Sequence, residues 1–167
     1  MKLAHIADVH LGRGYPGPTP ESRFDDIKRT LEWSAVRIID AGVDGVLFAG
    51  DAFKDAKVYV DRARDEIRAF VYFLTRFTDA GIPVLVISGT PSHDAVAAYD
   101  LISDMQLRLV KILTHPGVAH IAGVKVGCLP GMNRSQVATS EEFKGLQPRE
   151  IHRLMSRHAL LYTEMVT

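Results

Sequence analysis

One cysteine, Cys128, is all that a chain of 167 residues contains. A disulfide framework within the chain is therefore excluded, which suits a reducing cytosol. Cys128 lies in the apolar stretch 124–129, where a small buried hydrophobe is the expected role. A surplus of charge is missing as well: 20 lysines and arginines face 20 aspartates and glutamates. No global field draws nucleic acid or a membrane to this chain, so any such contact must come from a local surface. There is no apolar run of membrane-spanning length, and no internal repeat or low-complexity segment. The first residues, Met-Lys-Leu-Ala-His-Ile-Ala-Asp, read as a strand ending in charge and not as a signal peptide. A cytoplasmic protein with no membrane partner is expected. What is present is an ordinary globular composition, 47% apolar, at a length that favours one domain around one core.

Along the chain, apolar runs alternate with helical periodicity. Residues 2–7 read as a buried strand, and the segment 11–20 (LGRGYPGPTP), rich in glycine and proline, excludes a helix or a central strand. Over 21–41 a helix is expected with Phe24, Ile27, Leu31, Ala35 and Ile38 on one face and Gly42 as its stop. A strand at 45–49, a helix presenting Ile67, Phe70, Leu74 and Phe77, and a strand at 83–87 follow. A short helix near 97–103 leads to 107–113, and then to 118–122 and 124–129, which are joined near Gly123 as a hairpin or tight turn. A looser stretch, 130–148, precedes a last helix from about Arg149. Three strands linked by helices imply a parallel sheet, and later strands without helices between them imply a second sheet or an antiparallel extension. The fold class is α/β with mixed strands.

Each of the first three strands ends in a polar cluster: Asp8-Val9-His10, then Gly50-Asp51, then Gly89-Thr90-Pro91-Ser92-His93-Asp94. In an open parallel sheet the carboxyl ends of the strands share one edge, where ligands bind. Residues remote in sequence thus converge. Asp8 and His10 are two apart and would project to the same side of an extended backbone. Two carboxylates and an imidazole form a partial shell for a divalent transition metal, with manganese, zinc or iron better suited than calcium or magnesium. Singly, each cluster is also ordinary turn chemistry, and His93-Asp94 could be a surface pair. Their order, each at a strand's end, is what points to a site.

These residues resemble the first three motifs of the calcineurin-like metallophosphoesterases. The flanks Asp-Val-His-Leu-Gly at 8–12, Ala-Gly-Asp-Ala-Phe at 49–53 and Gly-Ile-Pro-Val-Leu-Val-Ile at 81–87 are similar to the SbcD-type DNA-repair nucleases. Arg23, Asp26 and Leu129-Pro130-Gly131 fit the same branch, and the resemblance covers about residues 1–135. It implies a layered α/β/β/α fold with mixed sheets, of which residues 1–167 would form the N-terminal and incomplete portion. It also implies two divalent metal ions, with manganese favoured. Asp8 and His10 would hold one ion and Asp51 would bridge both. His93 would protonate the leaving oxygen, oriented by Asp8 or Asp94. Implied partners are DNA or another phosphodiester, with a homodimer or an ATPase partner also in keeping with the family.

Two features depart from the pattern. The family's third motif reads Gly-Asn-His-Asp/Glu with asparagine as a ligand, whereas here two extra residues intervene and Ser92 precedes His93. Ser92 offers only a hydroxyl to the second metal, so that site is expected to be weak or completed by water. The family's later Gly-His-x-His does not occur. His115 follows a strand, His120 alternates within an apolar strand and is expected to be packed or hydrogen-bonded, and His152 and His158 lie on the last helix. Substrate phosphates could meet Arg13, Lys54 and Lys57, with Arg62 and Arg64 beyond, although Asp55, Asp61 and Asp65 are interleaved with them. The leading expectation is metal-dependent phosphodiester hydrolysis on DNA, with this chain alone weakly active or inactive. A phosphodiesterase for nucleotides and a degenerate, non-catalytic binding domain are the alternatives.

Overall fold

Four strands pair side by side in the order of the sequence, all parallel. They belong to a computed structural model that describes residues 1–12, 19–57, 59, 63–132 and 145–164. The elements are β1 (Leu3–Ile6), α1 (Pro20–Asp40), β2 (Gly45–Ala49), α2 (Arg64–Asp79), β3 (Val84–Ile87), α3 (Val96–Asp104), β4 (Val110–Leu113), β5 (Gly117–Ile121), β6 (Val124–Cys128) and α4 (Pro148–Glu164). Each parallel pairing needs a crossover, and α1, α2 and α3 supply the three. With right-handed crossovers always stepping in one direction, the helices gather on one face of the sheet.

The alternation along the strands states which face is which. Val46, Phe48, Val84 and Val86 point to the helices and join Ile27, Leu31, Ala35, Phe70, Leu74 and Phe77 in the main core. Leu47, Leu85, Ile87 and Leu113 point the other way, onto Ala119, Ile121, Val126 and Cys128 of a separate antiparallel hairpin, β5–β6. Ala122 and Gly123 turn that hairpin with φ of 50° and 78°, the pair of positive values that a tight two-residue turn requires. The last helix packs on β6. Helices, parallel sheet, hairpin and helix thus make the α/β/β/α layering, with a parallel and an antiparallel sheet. The sheet has one strand more than the three-strand βαβαβ reading supplied, because α3 carries the chain across to β4. That strand is shorter than 107–113, since Leu109 adopts φ of 61° and pairing begins only at Val110.

Helix α1 lies beside α2, with Arg76 Nε donating to Glu32 Oε1 at 3.0 Å. The inner face of α2 feeds an aromatic cluster under the carboxyl edge of the sheet. Phe70 meets Phe48 edge-on at 4.9 Å, Phe53 at 5.6 Å and Tyr99 at 6.0 Å between ring centres. Such pairs add about 0.5–1.5 kcal/mol each beyond their burial. Cys128 is buried in the hairpin layer, and burial pushes its thiol pKa up, as expected of a small apolar filler. Among the described residues no helix is long and apolar enough to cross a membrane.

Candidate metal centre

Past their last paired residues, β1 and β2 do not part. Asp8 N donates to Gly50 O at 3.2 Å, His10 N to Asp51 O at 2.9 Å, Leu11 N to Ala52 O at 2.7 Å, and Lys54 N to Leu11 O at 3.1 Å. The two loops are zipped together up to a parallel bridge between Leu11 and Phe53. Within the zipper Asp8, His10 and Asp51 have φ of 61°, 51° and 55°. Of the four residues singled out as ligands, all but Ser92 are in the left-handed region. The expected extended backbone, with Asp8 and His10 on one side by simple alternation, is thereby corrected. β1 ends at Ile6, and the two side chains converge because the chain coils at each of them.

Sparsely populated backbone of this kind costs about 1–3 kcal/mol per residue and persists where the surroundings over-determine it. Asp and His are among the side chains that tolerate it. The result is a set of ligand atoms, one from each of Asp8, His10 and Asp51, all within 4.8 Å of one another. Asp8 Oδ1 is 3.9 Å from His10 Nε2. Two carboxylates held that close repel unless a cation lies between them. Mixed oxygen and nitrogen donors on strained backbone therefore fit a divalent metal.

The third loop is brought in by close backbone approach. A Cβ on Gly50 would stand 2.6 Å from Gly89 Cα, a Cβ on Gly89 would run into Asp51 Oδ1, and a Cβ on Gly131 would run into Thr90 N. Three strand-end segments stack through glycines, with Gly131 N donating to Ser88 O at 3.1 Å. That contact is the structural reason for the Leu129-Pro130-Gly131 segment.

Asp94 is fully buried, and its carboxylate is directed inward. Oδ2 accepts from Asp51 N and Gly89 N, both at 2.8 Å, and Oδ1 from Phe53 N at 3.2 Å and from its own neighbour Ala95 N at 3.1 Å. Tyr99 donates to Oδ2 at 2.6 Å and accepts from Ala52 N at 2.9 Å. Asp94, expected to tune His93, is thus placed to fasten the second loop to the third. Tyr99 was missed in the sequence, where it is one apolar residue of a short helix. The available signal was its burial on that helix face, since a buried phenol must find a partner.

Burial, and then the charge of Asp94, push the Tyr99 pKa far up. The folded value lies above the unfolded one, so the contribution is complete below about pH 10, the ordinary tyrosine value, and is lost as pH rises beyond it. Tyr99→Phe has no such loss. The Tm gap between wild type and Tyr99→Phe is expected to narrow between about pH 9 and 11; a gap that is constant with pH would contradict this.

His93 stands exposed at the head of this loop, where the turn is closed by His93 N and Asp94 N donating to Thr90 O, both at 2.9 Å. Ser92 Oγ is 3.4 Å from each ring nitrogen of His93, so the hydroxyl faces the imidazole. Lys54 and Lys57 are exposed and line a cavity of about 420 Å³ with Leu11, Phe53, Tyr59 and Glu66; Lys54 also pairs with Asp55 at 3.7 Å. Arg13 and Arg62 lie outside the described residues, as does the side chain of His158. His115 is exposed beside Thr114. His120 turns to solvent between buried Ala119 and Ile121, so the expectation that it packs inward is corrected by the register of β5. His152 is exposed on α4.

Over residues 1–162 the sequence matches the calcineurin-like phosphoesterase family. The chain belongs to that family. Its members hydrolyse phosphoesters at bound divalent metals, and the Asp8–His10–Asp51 cluster is where this chain could hold one. The chain is 38% identical over 108 residues to the DNA double-strand break repair protein Mre11 of Aeropyrum pernix, covering 65% of this chain and 25% of that protein. With the Mre11 protein of Archaeoglobus fulgidus it shares 32% over 111 residues, 64% of this chain and 23% of that protein. The chain thus spans about a quarter of the length of these relatives.

Proposed function

We propose that this chain is the metal-holding part of a phosphodiesterase that acts on DNA. The carrying observation is the cluster of Asp8, His10 and Asp51, each on left-handed backbone and all offering ligand atoms within 4.8 Å. Likeness to two DNA double-strand break repair proteins supports DNA as the substrate. Divalent ions in this site, manganese in the first instance, supply charge that acidifies water and neutralises phosphoryl oxygens. Asp8 and His10 would hold one ion, with Asp51 between the two positions. His93, exposed on the same edge, would hand a ring proton to the leaving oxygen, with Ser92 steadying the ring or, more weakly, serving the second ion. Lys54 and Lys57 would hold phosphates without reading bases, and Arg13 would extend that rim.

Residues 1–167 would then be the N-terminal portion of one nuclease domain, working in a reducing cytoplasm, alone or with a second copy or an ATPase. The test uses the protein that carries this segment, with manganese, on linear duplex DNA and on bis(p-nitrophenyl) phosphate. Metal-dependent cleavage of both is expected, and both substrates left intact would sink the reading. One observation favours a smaller substrate: the cavity of about 420 Å³ lined by Lys54 and Lys57, just beyond the Asp51 loop, is in the size range of small-molecule pockets. Faster turnover of cyclic dinucleotides than of DNA would establish that alternative.

A further inference from the structure

We infer that Tyr99 is a positioning residue for the Asp51 carboxylate, acting through Asp94 and the backbone of residues 51–53. The inference rests on the metal reading of Asp8, His10 and Asp51. Three consecutive amide N–H groups, those of Asp51, Ala52 and Phe53, are captured in turn by Asp94 Oδ2 at 2.8 Å, Tyr99 Oη at 2.9 Å and Asp94 Oδ1 at 3.2 Å. Successive N–H groups around a left-handed residue form a concavity suited to an anion. Here the anion is the protein's own carboxylate. It also captures Gly89 N at 2.8 Å, so one buried charge ties the Asp51 loop to the loop that carries His93.

Tyr99 completes this cradle with both functions of its hydroxyl, donating to Asp94 at 2.6 Å and accepting from Ala52. Its ring has no freedom to look elsewhere, being wholly buried and edge-on to Phe53 and Phe70 at 5.7 and 6.0 Å. Left-handed backbone at Asp51 is costly and lasts only while its surroundings insist on it. Loss of the hydroxyl leaves Ala52 N–H buried without a partner and Asp94 with one donor fewer. The backbone can then relax toward ordinary φ, which swings the carboxylate off the position it shares with Asp8 and His10. Groups that orient a ligand without touching the metal change affinity by about 10–100-fold when removed.

The measurement is manganese affinity of the protein that carries this segment, by calorimetry at 20 °C, with electron paramagnetic resonance reporting bound ion. Asp8→Ala marks the site, and Phe77→Leu, a core change at the far end of α2, marks plain loss of stability. Expected are a Tyr99→Phe protein, folded by circular dichroism, that binds manganese about 10-fold more weakly, and a Phe77→Leu protein with lowered Tm and unchanged affinity. Asp94→Asn, which turns one accepting oxygen into a donor, should weaken binding further and serves where Tyr99→Phe does not fold. Equal affinity in wild type and Tyr99→Phe, or equal losses in Tyr99→Phe and Phe77→Leu, would overturn the positioning role. Absence of wild-type binding, or binding indifferent to Asp8→Ala, would overturn the metal reading beneath it.

Discussion

Replacing Asp51 by asparagine is expected to abolish manganese binding while raising the Tm of the metal-free protein. Two opposed consequences of one charge lie behind this. Without a cation, Asp51 and Asp8 hold carboxylate oxygens within 4.8 Å of each other, a like-charge contact that costs about 1 kcal/mol even at the dielectric of water. Asparagine removes that repulsion. It also suits φ of 55°, because its side chain is among the few that accept left-handed backbone. With metal present the balance reverses, since the amide leaves only one carboxylate and one imidazole to hold the ion. At manganese concentrations about 100 times the dissociation constant, wild type should gain about 2.7 kcal/mol. For a chain of this size that is a rise in Tm of roughly 5–10 °C. The variant should show none of it. A thermal melt of both proteins with and without manganese reads the two effects together. A variant that is less stable without metal, or that still responds to manganese, would contradict the assignment of Asp51.

Gly89→Ala is expected to be worse for the protein than many deletions of buried side chains. Its Cβ would run into Asp51 Oδ1 and stand 2.7 Å from Asp51 N and 2.8 Å from Asp94 Oδ2. None of these neighbours can yield cheaply. The amide belongs to a backbone already pinned by Asp94, and Asp94 is wholly enclosed. Forcing a methyl group into packed surroundings costs about 1–3 kcal/mol in ordinary cores, and occasionally more. The upper end applies here, with the third loop pushed away from the other two. Denaturant titration should show a loss of about 3 kcal/mol or more, with manganese affinity lost in whatever folded fraction remains. A loss below about 1 kcal/mol would mean that the stacked loops are far more pliant than their hydrogen bonds suggest. Gly89 is not left-handed, so the loss is one of crowding alone; Gly42→Ala, at φ of 61° with nothing within 4 Å of the added Cβ, is the converse case of backbone strain without crowding.

The layers were legible in the sequence because the side-chain periods are simple. Ile27, Leu31 and Ala35 recur at helical spacing and are buried. In 45–49 and 83–87 near-continuous apolar runs mark strands covered on both faces, and the structure covers them with helices on one side and a hairpin on the other. The convergence of Asp8, His10 and Asp51 at one edge was legible because they sit where strands stop. What periodicity cannot show is backbone of the opposite hand. The convergence of Asp8 and His10 comes from two left-handed residues, and residue spacing carries no trace of them. Nor can a strand-end motif tell a carboxylate that faces the ligand from one that faces inward. Asp94 follows His93 directly, yet its carboxylate accepts from four backbone amides and a tyrosine. Tyr99 was hard to place for a related reason: its helix face marks it as buried, but one of its two partners, Ala52, lies 47 residues away in the chain.

The hydrogen bond from Gly131 to Ser88 has a bearing on the order in which the molecule assembles. That bond spans 43 residues, much as the Asp8–Gly50 bond between the first two loops spans 42 and the Asp51–Asp94 bond between the second and third spans 43. All three contacts are thus equally non-local, and loop closure of that length is expected to come late for each of them. The ligand cluster is therefore a late product of folding. A metal ion would find few of these side chains in register before the loops have closed, so it would act as a lock on the finished structure and not as a seed for it.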